Sequence, residues 1–94
     1  MSKYEVATTS QYRKSYKKIA KRGFNLEKLD AIVQKLSNGE KLDPKYKDHM
    51  LKGKYKDHHE CHIQPDWLLI YKIQNDVLIL TLVDTGSHSD LFNK

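Results

Sequence analysis

The chain has 94 residues, enough for one domain with a modest core, and 17 Lys and Arg against 12 Asp and Glu give a net charge of +5. No run approaches the roughly 18 apolar residues of a membrane span, the polar start MSKYEVATTS is unlike a signal peptide, and the lone Cys61 rules out an internal disulfide. A basic protein of the cytoplasm is therefore expected, with a polyanion such as nucleic acid as the natural partner.

Lys3–Ala7 alternates as a short strand, with Tyr4 and Val6 on one face. The segment TTSQYRKSYKKIAKRG predicts a helix capped by Ser10 or a neighbouring Thr and stopped at Gly23. Tyr12, Tyr16, Ile19 and Ala20 share its apolar face. Arg13, Lys14, Lys17, Lys18, Lys21 and Arg22 cover the other, which is either an RNA-facing surface or an ordinary solvated one. A second helix follows, with Asn25 as its cap, Glu27 in its first turn and a stripe of Leu26, Leu29, Ile32, Val33 and Leu36. The link is so short that the two helices should form an antiparallel hairpin.

The polar stretch around Pro44 predicts a loop, with room for a short strand near Met50–Gly53. KYKDH occurs at 45–49 and again at 54–58, an echo too short to define a repeat, and its two copies are expected in different environments. From Lys54 onward the pattern is β. Glu60, His62 and Gln64 fall on one side of a strand, Cys61 and Ile63 on the other. Trp67–Ile73 and Val77–Val83 are nearly continuous apolar runs, as in strands covered on both faces, and Asn75-Asp76 suits the turn between them. The tail DTGSHSDLFNK is polar apart from Leu91 and Phe92. The order β-α-α-β-β-β(-β) predicts an α+β fold: a small antiparallel-rich β-sheet with an N-terminal helical hairpin packed on it, one domain over residues 1–94.

HHECHIQPDWLLIYK, residues 58–72, sets three histidines, two carboxylates, a thiol and a tryptophan against an apolar run. For a metal site, strand alternation lets only His58, Glu60 and His62 converge, with neighbours about 6.5–7 Å apart. No C-x-x-C or H-E-x-x-H spacing is present, so no metal is assigned. For acid–base chemistry, metal-free RNA cleavage requires a base for the 2′-OH, an acid for the leaving 5′-oxygen and cations around the phosphorane. Histidine titrates near working pH, and an exposed aromatic ring can stack on a base. His62, Asp66, Trp67 and the distant His88 can supply these parts, with Lys52, Lys54 and Lys56 nearby in the chain as RNA-binding cations. A surface accumulation of His and Asp, with Trp67 anchoring the core, accounts for the same residues without chemistry. Cys61 is expected as a small buried hydrophobe.

Three blocks, YKDHMLKGKYKD, ECHIQPDWLLIYK and LVDTGSHSDLF, resemble in order and spacing the YafQ-like branch of the RelE-type toxins, the toxin halves of bacterial type II toxin–antitoxin modules. The strong resemblance runs from about Tyr46 to Phe92, and the β-α-α start agrees with that family. It implies a RelE-like fold and an endoribonuclease, an mRNA interferase acting in the ribosomal A site without metal or cofactor. The implied partners are a cognate antitoxin, in complexes of two toxins with two antitoxins, and the ribosome with its mRNA; no membrane is involved. By the resemblance, His49, His62, Asp66 and His88 fall on catalytic positions, with Glu60 in support and with Trp67 and Phe92 positioning the nucleotide. His88 is then the general acid and Asp66 the expected base, unless an imidazole takes over because the carboxyl stays near its ordinary pKa.

The family often carries arginine where this chain has His59 and Asp84, so positive charge must come from Lys52, Lys54 and Lys56 or from cationic histidines. Those two departures leave a second reading open, a catalytically weakened RNA- or antitoxin-binding module of the same fold. A third is a metal-dependent protein built on His58, Glu60 and His62.

Overall fold

Thr9 fastens the first helix to the sheet. Its Oγ1 accepts from the Tyr12 N–H at 2.9 Å and donates to the Val83 carbonyl at 2.7 Å, so one hydroxyl both caps α1 (Ser10–Lys21) and anchors it. The structure, a computed structural model, describes residues 2–92; residues 1, 93 and 94 of the expected domain lie outside the described residues. Tyr12, Ser15 and Ile19 are the buried face of α1, whereas Ala20, expected there, is exposed. Ser15 replaces it because its hydroxyl donates to the Asp84 carboxylate at 2.5 Å, which satisfies both groups away from water. Gly23, in the left-handed region at φ +84°, ends the helix as expected.

The Asn25 side chain accepts from the Glu27 N–H at 3.1 Å and starts α2 (Leu26–Ser37), whose Leu29, Ile32 and Leu36 are buried. Five strands form one sheet: β1 (Glu5–Thr8), β2 (His49–Met50), β3 (His59–Gln64), β4 (Trp67–Gln74) and β5 (Ile79–Gly86). Their order is β1-β5-β4-β3-β2; β1 runs parallel to β5 and every other pairing is antiparallel.

The main core joins Tyr12 and Ile19 of α1 and Leu29, Ile32 and Leu36 of α2 to Cys61, Ile63, Trp67, Leu69, Tyr71, Leu80 and Leu82 of the sheet. A smaller core on the opposite face joins Leu68 and Ile70 of β4 to Leu91, with Leu51, Tyr55 and Val83 packed against it. This division makes β4 apolar on both sides, as its unbroken hydrophobic run foretold.

Two details depart from the sequence reading. Val77 and Leu78 lie in the turn rather than in β5 and are 54% and 46% exposed, with Leu78 in the left-handed region at φ +55°. The β5 strand instead continues to Gly86 and is followed by one helical turn, α3 (His88–Leu91), within the polar tail to which the sequence reading assigned no element. Among the described residues, no helix is long and apolar enough to cross a membrane.

Candidate active site

Period-two alternation on β3 sends Cys61 and Ile63 into the main core and turns Glu60 and His62 to the opposite face. Strand β2 pairs with β3 so that His49 lies across from Glu60. Glu60 is only 5% exposed, and one of its oxygens, Oε1, lies 3.2 Å from His49 Nε2 and 3.6 Å from His62 Nε2. A carboxylate that deep requires donors, and the two imidazoles are the donors within reach. His49 Nδ1 lies 2.7 Å from the Lys47 carbonyl. Both ring nitrogens of His49 thus face oxygen acceptors.

The second half of the site comes from the C-terminus. Ser87 and Asp90 form a reciprocal capping box: the Ser87 hydroxyl accepts from the Asp90 N–H at 3.1 Å, and Asp90 Oδ2 accepts from the Ser87 N–H at 2.9 Å. Arg22, the residue that follows α1, donates to the same Asp90 oxygen at 2.9 Å, and together these bonds hold the Asp90 carboxyl below its ordinary range. The turn they build places His88 over the β3–β4 corner. There Asp66 Oδ1 accepts from the His88 backbone N–H at 3.1 Å and lies 2.9 Å from its Nδ1. Because Asp66 is an acceptor, Nδ1 carries the proton and Nε2 points away from Asp66. The His88 and His62 rings lie 5.7 Å apart, and those of His62 and His49 6.3 Å.

The fold therefore gathers His49, Glu60, His62, Asp66 and His88 on the face opposite α1 and α2. Phe92, 41% exposed, lies 6.5 Å from the His88 ring and 6.0 Å edge-on from Tyr55. Through Tyr55 it adjoins the exposed turn that carries Lys52, Lys54 and Lys56, with Lys54 Nζ 5.6 Å from the Tyr55 ring centroid.

Two expectations, those for Trp67 and His58, are corrected. Trp67 is 1% exposed, lies edge-on to Phe24 at 4.9 Å and donates its Nε1–H to Thr85 at 3.0 Å, so its ring is a core element with no free face for a base. The hydrogen bonds from the His88 ring and then from its backbone hold the Asp66 carboxyl below its usual value, which makes it a weaker base than a free carboxylate. His58 does not join Glu60 and His62. Its ring lies edge-on to Tyr55 at 5.9 Å, with Nδ1 3.0 Å from the Lys56 carbonyl. Among the described residues, no group of three His, Cys, Asp or Glu side chains is arranged to hold a metal ion.

The two departures from the family pattern lie off the site. His59 stacks on Tyr71 at 5.0 Å with its Nδ1 3.4 Å from Asp48, and Asp84 turns under α1 to accept from Ser15 and from the Thr85 N–H. Burial, and next the bond to Asp48, push the Tyr71 hydroxyl well up; burial does the same to the Cys61 thiol, which keeps both groups protonated. The roles of Asp48 and Arg22 escaped sequence reasoning. The capping box Ser87-His88-Ser89-Asp90 was the available signal for the turn that presents His88.

A family profile described as the bacterial toxin of type II toxin–antitoxin systems, YafQ, matches residues 4–93. The mRNA interferase toxin YafQ of Escherichia coli strain K12 is 36% identical over 98% of this chain and 99% of its own length. The toxin in a crystal structure of the E. coli DinJ–YafQ toxin–antitoxin complex is 35% identical over 96% of this chain and 98% of that one, with a TM-score of 0.88. A metal-bound toxin from Helicobacter pylori is 45% identical over 95% and 99%, with a TM-score of 0.89.

Proposed function

The chain belongs to the YafQ family of bacterial toxins from type II toxin–antitoxin systems, and on that premise we propose how its residues divide the work of cleaving mRNA. The protein is an mRNA interferase, an endoribonuclease that stops translation, and its partners are a cognate antitoxin and the mRNA on the ribosome. It acts in the cytoplasm, where its substrate is, as a single domain; with its antitoxin it forms a complex of two toxins and two antitoxins.

His62 is the base. With Nε2–H directed at Glu60, its Nδ1 is free to take the 2′-OH proton of the bound nucleotide. The alkoxide attacks the adjacent phosphorus, and the bond to the 5′-oxygen breaks. His88, protonated on both nitrogens and braced through Nδ1 by Asp66, delivers the Nε2 proton to that leaving oxygen. The products are a 2′,3′-cyclic phosphate and a 5′-hydroxyl. Cationic His49, held between Glu60 and the Lys47 carbonyl, balances the charge that develops on the phosphorane. Phe92 offers an exposed ring for the base, and Lys52, Lys54 and Lys56 hold the flanking backbone. No step uses a metal.

The observation that carries this reading is the 5.7 Å approach of two imidazoles, each braced by its own carboxylate. Measuring cleavage on translating ribosomes against pH tests it. Wild type should give a bell-shaped profile, and His88→Gln should lower the maximum by about 10²–10⁴-fold, the usual worth of a proton-transfer group, and flatten the basic limb. An unaltered rate for His88→Gln would remove it from the mechanism, and loss of activity on chelation would revive the metal-dependent reading.

A further inference from the structure

A groove of about 620 Å³ opens beside the active face and is used by none of the roles above. It runs between α2 and the strip formed by the 3-10 turn Pro44–Tyr46 and the end of β3, with His62 at its rim. Its size falls within the roughly 300–1,000 Å³ typical of small-ligand sites. Two features give its chemistry. Ile32, Ile63, Pro65 and Tyr46 give it an apolar lining. Lys28, Lys35, Lys45 and Lys47 line it as well, and among the described residues no carboxylate does.

The sequence explains the lysine lining. Lys28, Ala31, Ile32 and Lys35 follow the i, i+3, i+4, i+7 rule and so form one stripe of α2, with the small Ala31 leaving space between the cations. Lys28 and Lys35 stand two turns apart, about 10 Å along the axis. A chain laid in the groove would therefore meet them with different charged groups. The groove is also joined to the catalytic machinery: His62 belongs to both, and the carbonyl of the lining residue Lys47 holds His49 Nδ1 at 2.7 Å.

We propose that this groove is a nucleotide subsite, which seats the RNA strand leading away from the scissile phosphate, with a base on the Tyr46, Ile63 and Pro65 lining and successive phosphates on Lys28 and Lys35. The inference rests on the ribonuclease reading and adds to it a second RNA-binding surface, on the opposite side of His62 from the Lys52–Lys56 turn and Phe92. Continuity with His62 favours RNA over an acidic peptide: a strand whose scissile phosphate lies between His62 and His88 must leave the site past one of its rims, and this rim combines an apolar lining with cations.

A cleavage-resistant 2′-deoxy hexanucleotide, fluorescently labelled, is the probe, with affinity read by anisotropy across a salt series. The Lys28→Glu, Lys35→Glu double variant should bind at least tenfold more weakly than wild type, and its salt slope should be shallower by about 1.4, two single-strand phosphate contacts. In parallel, the hexanucleotide should shift the amide resonances of Ala31, Lys35 and Gln64. An unchanged slope and affinity in the double variant, with those amides unmoved, would overturn the subsite. Movement of those amides by a Glu/Leu peptide but not by the hexanucleotide would overturn it as well, and make the groove a peptide site. Intact hexanucleotide binding without mRNA cleavage by wild type would fail the catalytic reading and leave the groove standing.

Discussion

Asp66 and Glu60 show how two carboxylates of one site take their character from their surroundings. Asp66 is exposed, and it accepts from both the backbone and the ring of His88, which holds its carboxyl low. The sign follows directly. A depressed carboxyl favours the folded turn at every pH above its ordinary value of 3.8 and loses that effect as pH falls through the lower folded value. Asp66→Asn should therefore flatten the dependence of stability on pH only in the acid range below 3.8. At neutral pH its effect should be on rate, because an amide presents either tautomer partner and no longer fixes Nδ1–H on His88. A loss of about 10²-fold in cleavage rate with unchanged RNA affinity is expected, measured on ribosomes with matched binding assays. Trp67 gives the contrary case. The PDW spacing marked it correctly as part of a block, but a residue symbol carries no burial, and the alternation of β4 puts the indole under Phe24. Trp67→Phe should cost roughly 1–3 kcal/mol of stability through the lost Thr85 bond and a residual void, as read by chemical denaturation, while the folded fraction keeps its cleavage rate.

The smallest element carries His49, to which we assign a catalytic role. Strand β2 is two residues long, and its own pairing is too short to hold His49 still. The preceding residue supplies the missing restraint. Asp48 accepts from the Tyr71 hydroxyl on the helix side of the sheet and lies 3.4 Å from His59 Nδ1, so His49 is set from behind. Tyr71→Phe should destabilise the fold by about 1–2 kcal/mol and lower the cleavage rate through a mobile His49, visible as broadened ring resonances. Sharp resonances and a full rate would show that β2 holds itself.

The KYKDH echo explains why sequence went only so far here. Both copies end a 3-10 turn at Tyr, place the preceding Lys over that ring at 5.2 and 5.6 Å, and put His Nδ1 on a Lys carbonyl. The backbones then diverge, with Lys47 in the left-handed region in the first copy and Asp57 in the second. One histidine enters the sheet beside Glu60, and the other remains against Tyr55. The helices and long strands were legible because their periods bury whole faces. This difference was not, because it lies in which residue of each copy turns left-handed, Lys47 or Asp57. The α3 turn was missed for another reason: four residues have no period, and only the Ser87–Asp90 cap marks them.

At the scale of the molecule, the sheet separates stability from chemistry. The helices α1 and α2 and the larger core cover one face, and the titratable cluster lies on the other, so the site is built largely from residues the main core does not need. Cys61, beneath the helices with its thiol pushed up by burial, should resist iodoacetamide at neutral pH until the protein unfolds. The +5 charge draws on α1, which carries Arg13, Lys14, Lys17, Lys18 and Lys21 and no acidic residue, as suits a protein that must settle among phosphates. We propose that an imidazole pair drives attack by the substrate's own 2′-OH. The deciding experiment is cleavage, on translating ribosomes, of an mRNA that carries one 2′-deoxynucleotide at the cleaved position. The normal message should be cut to a 5′-hydroxyl end, and the deoxy bond should survive intact. Cutting of the deoxy bond, or 5′-phosphate ends on the normal message, would contradict it.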